Sequence, residues 1–149
     1  MIHISSSVVL SQAGELITAN NPRIGWHNVI TSDNISSDEE ADDEPVVNLA
    51  NPATYLYWRG ETINAQTVQV SLSEAEEVNY FAIAKHNLGS TGATLAFEYS
   101  NNGSDWTTVE TVEPSSDYAL IVEFDSVSAQ FYRLNITPGS AAPAISVLY

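Results

Sequence analysis

The side chains here that could do chemistry are three histidines and a large surplus of carboxylates. Acyl transfer needs a nucleophile, a base and an orienting group within reach of one another. His3, His27 and His86 are the only imidazoles, and none lies in a nucleophile-elbow or metal-ligand spacing. There is no G-x-S-x-G, no H-E-x-x-H and no phosphate-cradling glycine loop. Two carboxylates could cleave a glycosidic bond, one as acid and one as nucleophile or base. With 19 Asp and Glu in 149 residues, however, the nearness of any two carries no information. A non-enzyme is expected.

The acids are unevenly placed. Asp38-Glu39-Glu40-Ala41-Asp42-Asp43-Glu44 puts six carboxylates in seven positions. Carboxylates are hard oxygen ligands, so calcium is the one cofactor the run could hold, with Asp38, Asp42 and Asp43 as candidate ligands. The run lacks the spaced D-x-D-x-D-G pattern and its turn glycine, so the preferred reading is no cofactor and a solvated, self-repelling acidic loop over residues 31–45. Against these acids stand Arg23, Arg59, Lys85 and Arg133, for a net charge of −15. Affinity for nucleic acid comes mainly from cations that neutralise phosphates, so four scattered ones argue against that class of partner.

Candidate binding residues are aromatic or basic. Trp58-Arg59 could offer a ring face to sugar C–H groups and a guanidinium to hydroxyls, although Trp58 and Trp106 are large enough to be core residues first. Trp26 and His27 follow Gly25 in an expected loop, and tryptophan is enriched at interfaces. Arg133 alternates with Phe131 and Asn135, opposite Tyr132, Leu134 and Ile136; a cation in a central strand calls for a carboxylate partner. Asn87 and Gly89 are read as setting backbone geometry, with no ligand role for His86.

All of these must be carried by strands. Leu95, Phe97 and Tyr99 alternate with Ala96 and Glu98, and the same period of two runs through Val68–Leu72, Leu120–Phe124, Tyr132–Ile136 and Ile145–Tyr149. Ser100-Asn101-Asn102-Gly103 fills a tight turn, with Gly103 expected at positive φ. About eight short strands in a two-sheet antiparallel β-sandwich follow from this spacing, with one helical turn near Val46–Ala53. Residues 1–149 read as a single domain with an N-terminal strand or arm over 1–19. Ile2 to Leu10 holds no Lys, Arg, Asp, Glu or Pro to discourage pairing at an edge, so Ile2, Ile4 and Val8 are candidate contacts with the sandwich or with a neighbouring subunit.

The S-N-N-G-S-D-W turn ending at Trp106 resembles the S-x-D-G-x-x-W turn of discoidin-like domains, the coagulation-factor type C family of galactose-binding-like sandwiches. Val47-Asn48-Leu49-Ala50-Asn51 leading to Tyr57-Trp58, and Phe131-Tyr132-Arg133-Leu134, are similar to two further segments of that family in the same order. The resemblance implies a jelly-roll fold and places Trp58 in the core. More narrowly, Asn21–Asn28, Asn48–Thr54, His86–Gly89 and Gly139–Pro143 together resemble a module of tailed-bacteriophage virion proteins. This second resemblance implies a non-enzymatic structural protein of the tail or adsorption apparatus. It would act as an assembly module in the virion after assembly in the host cytoplasm, with other virion proteins and further copies of itself as partners.

Composition is compatible with that expectation. A compact chain of this length buries roughly 68–70% of its unfolded surface, enough for a core without staples. There are no cysteines, and Met1 leads into Ile2-His3-Ile4 with neither a basic n-region nor a long apolar run, so no secretory signal or membrane partner is expected. The sequons at Asn34, Asn102 and Asn135 are read as accidental. The alternative function is a carbohydrate-binding module that holds a glycan, perhaps with calcium, through loops at one end of the sandwich. Two exposed aromatics beside a carboxylate and an amide at one loop end would favour it; a wide apolar or strand-edge contact would favour assembly.

Overall fold

Along Gln66–Leu72 every second residue is buried, as it is along Leu120–Phe124 and again along Tyr132–Ile136. Between these runs lie the polar stretches Ser73–Asn79 and Asp125–Ser128, and these too are strand. The computed structural model describes residues 27–149 in full and, before them, only the backbone pairing of three short strands. These are β1 (Ile2–Ile4), β2 (Ser11–Gln12) and β3 (Glu15–Leu16). There follow β4 (Ile35–Ser37), a 3-10 helix (Val46–Ala50), β5 (Trp58–Arg59), β6 (Gln66–His86), a single helical turn α1 (Leu88–Thr91), β7 (Thr94–Ser100), β8 (Thr107–Val112), β9 (Leu120–Thr137) and β10 (Ala144–Leu148).

The two long strands, β6 and β9, organise everything else. They pair antiparallel from Gln66↔Ile136 to Ile83↔Leu120, with register shifts between Ser71 and Glu76 and between Val78 and Tyr80. An irregular register bends a ribbon. The first half of β6 and the second half of β9 form one layer, flanked by β4 on one side and by β7 and β8 on the other. The second half of β6 and the first half of β9 form the other, flanked by β10 and β5 and, on the far edge, by β1. Except for the β1–β9 pair, every one of these pairings is antiparallel. The expected two-sheet antiparallel sandwich is therefore present, but with two bent strands shared by both layers where separate short strands were anticipated.

Phe97 of β7 sits where the layers meet. Its ring centroid lies 5.1 Å from Phe81 and 4.9 Å from Phe124, both in the opposite layer, and 5.9 Å from Tyr132 beside it. The bend is tied by the buried Tyr132 hydroxyl, which accepts a hydrogen bond from the Ala129 N–H (2.9 Å) and lies within donating distance of the carbonyls of Glu76 (2.6 Å) and Val127 (2.8 Å). Burial raises the pKa of this phenol. Gln130 Nε2 adds a hydrogen bond to the Leu72 carbonyl at 3.0 Å. One end of the sandwich is thus a bend, and the other is a set of loops.

The structure places β1 within the same chain, parallel to β9 through Ile2↔Ile121 and Ile4↔Glu123. One backbone edge of Ile2–Ile4 is therefore engaged in cis and not by a neighbouring subunit, while Val8 lies outside the described residues. Residues 31–45 differ from the expected solvated loop. Ile35 is buried and pairs with Val70, because a β-branched residue followed by two serines continues the sheet before the acids begin.

Candidate functional site: the loop end

Five connections converge at the end away from the bend, and their backbone groups satisfy one another. Gly60 N–H donates to the Pro143 carbonyl (2.9 Å), Ser140 N–H to Thr91 (2.9 Å) and Ala41 N–H to Arg59 (2.9 Å). Asn87 bridges two connections by donating from Nδ2 to Ala142 O and accepting from Ala144 N–H, both at 2.9 Å. Asp117 accepts from Ser90 N–H at 2.7 Å, and its carboxyl pKa is lowered by the Ser90 hydroxyl first and by this N–H second. Gly139 is required sterically: a Cβ there would stand 1.8 Å from the Thr91 carbonyl oxygen.

The acidic run belongs to this end and is largely spent on structure. Asp38 accepts from Thr67 N–H (2.7 Å), Glu39 from the Thr62 hydroxyl (2.7 Å) and Glu40 from Val46 N–H (2.7 Å) at the start of the 3-10 helix. Glu44 Oε2 lies 2.5 Å from Arg59 Nε. The Glu39 carbonyl accepts from the indole of Trp58, which is fully buried. Of the calcium candidates, Asp38 is thus engaged by the backbone while Asp42 and Asp43 are exposed. Among the described residues, no group of three or more His, Cys, Asp or Glu side chains is placed to hold a metal.

Side chains that face outward here were not singled out by the sequence. Tyr55 and Tyr118 are 79% and 80% exposed, unusual for aromatics of this size. Both lie on segments hydrogen-bonded to the exit of β6. Lys85 Nζ donates to the Thr54 carbonyl at 2.8 Å, next to Tyr55, and the buried His86 ring sets Nε2 2.9 Å from the Tyr118 carbonyl. His86 Nδ1 accepts from Leu88 N–H at 3.2 Å, so Nε2 carries the proton and the ring is neutral. Burial pulls its pKa below the usual histidine value. Lys85 has φ of 52°, a left-handed conformation that costs a non-glycine residue energy and collects at functional positions. This backbone turn sets its ammonium 4.9 Å from the Tyr57 ring centroid, and the ammonium's hydrogen bond lowers the Tyr57 pKa.

The exposed Tyr55 and Tyr118 rings, the Lys85 ammonium and the Arg59–Glu44 pair are the kinds of group that suit a polyhydroxylated ligand: rings for C–H faces, and charged donors and acceptors for hydroxyls. Asn64 and Asn51 add exposed amides on neighbouring connections. Sequence reasoning reached Arg59 but missed Tyr55, Tyr118 and Lys85. The available signal was an aromatic directly after each of two turn-forming runs, Asn51-Pro52-Ala53-Thr54 and Pro114-Ser115-Ser116-Asp117.

The other singled-out residues lie elsewhere. His27 is at the bend end, 3.4 Å from Glu76, so it does not join Arg59; Trp26 is outside the described residues. Gly103 has φ of 72° in a turn whose N–H groups are taken up by Ser100 Oγ and Asn102 Oδ1. Arg133 Nε meets Glu98 Oε2 at 2.5 Å across the β7–β9 pair. Trp106 is not core. It is half-buried on the outer face of the sheet, with the Arg133 guanidinium carbon 4.0 Å from its ring centroid, because the turn carries it over a cation.

Residues 28–147 match the sequence profile of the F5/8 type C domain. A search of curated protein sequences gives no significant match. Solved structures share the fold. Chitosan-binding module 1 of a chitosanase/glucanase from Paenibacillus sp. IK-5 superposes with a TM-score of 0.70 at 15% identity, covering 83% of this chain and 97% of that one. The family 32 carbohydrate-binding module of Clostridium perfringens NanJ, in complex with galactose, gives 0.66 at 20% identity over 76% and 89%. A further C. perfringens family 32 module, in complex with GalNAc-β-1,3-galactose, gives 0.67 at 14% over 76% and 91%. These neighbours overturn the expected virion assembly role, since they are glycan-binding modules and none is a particle component. Of the motifs behind that expectation, Asn48–Thr54, His86–Gly89 and Gly139–Pro143 lie in or beside connections of the sandwich, and one fold hosts many functions.

Proposed function

The chain belongs to the F5/8 type C domain family, and from that premise we propose that it is a non-catalytic carbohydrate-binding module. The reading rests above all on Tyr55 and Tyr118, two exposed rings on segments hydrogen-bonded to the Lys85–His86 strand exit. The solved relatives in complex with galactose and GalNAc-β-1,3-galactose supply the ligand class. Ring faces stack on the apolar side of a pyranose, Lys85 donates to hydroxyls, and the rigid hydrogen-bonded loops keep the ordering cost of binding low. Calorimetric titration with galactose, GalNAc-β-1,3-galactose and a chitosan oligosaccharide tests this. Binding to at least one is expected, with a roughly tenfold or greater loss in Tyr118→Ala or Tyr55→Ala and an unchanged melting temperature. Absence of binding to all three, or full affinity in both variants, would refute the assignment.

A further inference from the structure

The bend end carries a shallow hollow of about 540 Å³, broadly open to solvent. One wall is the segment 27–34 and the other is the stretch of β6 where its register slips. The walls are fixed before any ligand arrives. Asn34 Nδ2 donates to Val29 O (2.8 Å), its Oδ1 accepts from Thr31 N–H (2.8 Å), and its carbonyl accepts from Ser71 N–H (2.8 Å), which clamps the segment to the strand. Asn28 Oδ1 accepts from Ile30 N–H at 3.0 Å, so the Asn28 amide nitrogen is held in a defined place.

The lining chemistry is selective. Val29 and Leu72 give a small apolar patch, while Asn28, Thr31 and Ser73 bring amide and hydroxyl groups. Glu76 brings a carboxylate 3.4 Å from the His27 ring. Among the described residues no Lys or Arg lines the space, so on these walls a phosphate or carboxylate ligand would find His27 beside a competing acid. A hydroxyl both donates and accepts, and it suits a wall that offers the Asn28 amide, the Thr31 and Ser73 hydroxyls and the Glu76 carboxylate. We propose that this groove is a second binding site, for one or two neutral sugar units, at the opposite end of the sandwich from the tyrosines. Each end can bind or fail to bind without the other, because β6 and β9 separate them along their length.

The test is an amide-shift NMR titration of the full chain with galactose and, separately, N-acetylgalactosamine. Two exposed positions are varied, Ser73→Trp to fill the groove and Tyr118→Ala to strip the loop end. The groove site predicts shifts clustered in 28–34 and 71–76 with at least one sugar. Those shifts should weaken roughly tenfold in Ser73→Trp and persist in Tyr118→Ala, with folding checked by an unchanged melting temperature. Shifts confined to the loop end, or no shifts with either sugar, overturn the groove and leave the loop-end reading to its own titration; shifts confined to the groove support it. Groove shifts that survive Ser73→Trp would also overturn it.

Discussion

Replacing Tyr132 by Phe removes one oxygen and leaves the ring stack with Phe97 in place, so it isolates what ties the bend. Tyr132 is 3% exposed, and Ala129, whose N–H it satisfies, is fully buried. An orphaned buried donor costs about 1–3 kcal/mol, and loss of the hydroxyl's own donated bond about 0.5–1.5 kcal/mol more. The sum is about 3 kcal/mol. For a chain of this size that corresponds to a fall in melting temperature of roughly 6–12 °C. Urea and thermal denaturation of Tyr132→Phe should show it, with Tyr55→Phe as a control expected to change stability by less than about 0.5 kcal/mol, since it sits on the open surface. If the two variants are equally stable, the hydroxyl does not hold the bend.

Protonation of His86 is opposed in the folded state, so between its lowered folded pKa and the ordinary value only the unfolded chain takes the proton. Stability should therefore fall as pH drops from neutrality through that window, and the slope should flatten in His86→Gln when measured by denaturation at stepped pH. Gly103→Ala should cost about 1 kcal/mol through positive φ alone, since a Cβ there meets only the Phe131 ring at 3.7 Å, and Gly103→Asn should cost less. Equal stability of both variants with the parent would remove the strain argument. Arg133→Met strands Glu98, whose side chain is 11% exposed, and should destabilise by about 3 kcal/mol. Adding Glu98→Gln should restore part of that loss, and a double-mutant cycle reads the coupling.

Much of the sandwich was legible because alternation survives wherever one face is buried, as in Leu95–Tyr99 and Tyr132–Ile136. Continuity of β6 was not, since Ser73-Glu74-Ala75-Glu76-Glu77 lies on the outside of the bend and has no core face to pattern it. The acidic run misled for a related reason. Charge predicts solvation, yet Asp38, Glu39 and Glu40 are acceptors for backbone and hydroxyl groups that only the folded chain brings near. Trp106 read as core because a tryptophan closing a turn usually is; its partner, Arg133, is 27 positions on and unrelated by any local spacing. The loop end was invisible for the same reason, as the segments that carry Tyr55 and Tyr118 are tied to one strand exit by hydrogen bonds from Lys85 to Thr54 and from His86 to Tyr118.

The sharing of β6 and β9 between both layers also governs how the domain must come into being. Neither layer can be completed alone, because each contains half of the same two strands, and the pairing that unites them joins Gln66 to Ile136 across most of the described chain. Sequence-distant pairing is slow to find, on the millisecond-to-second scale for all-β domains. Assembly should accordingly pass over one kinetic barrier that raises both layers at once. A chain interrupted before residue 120 would hold half a ribbon and no finished sheet.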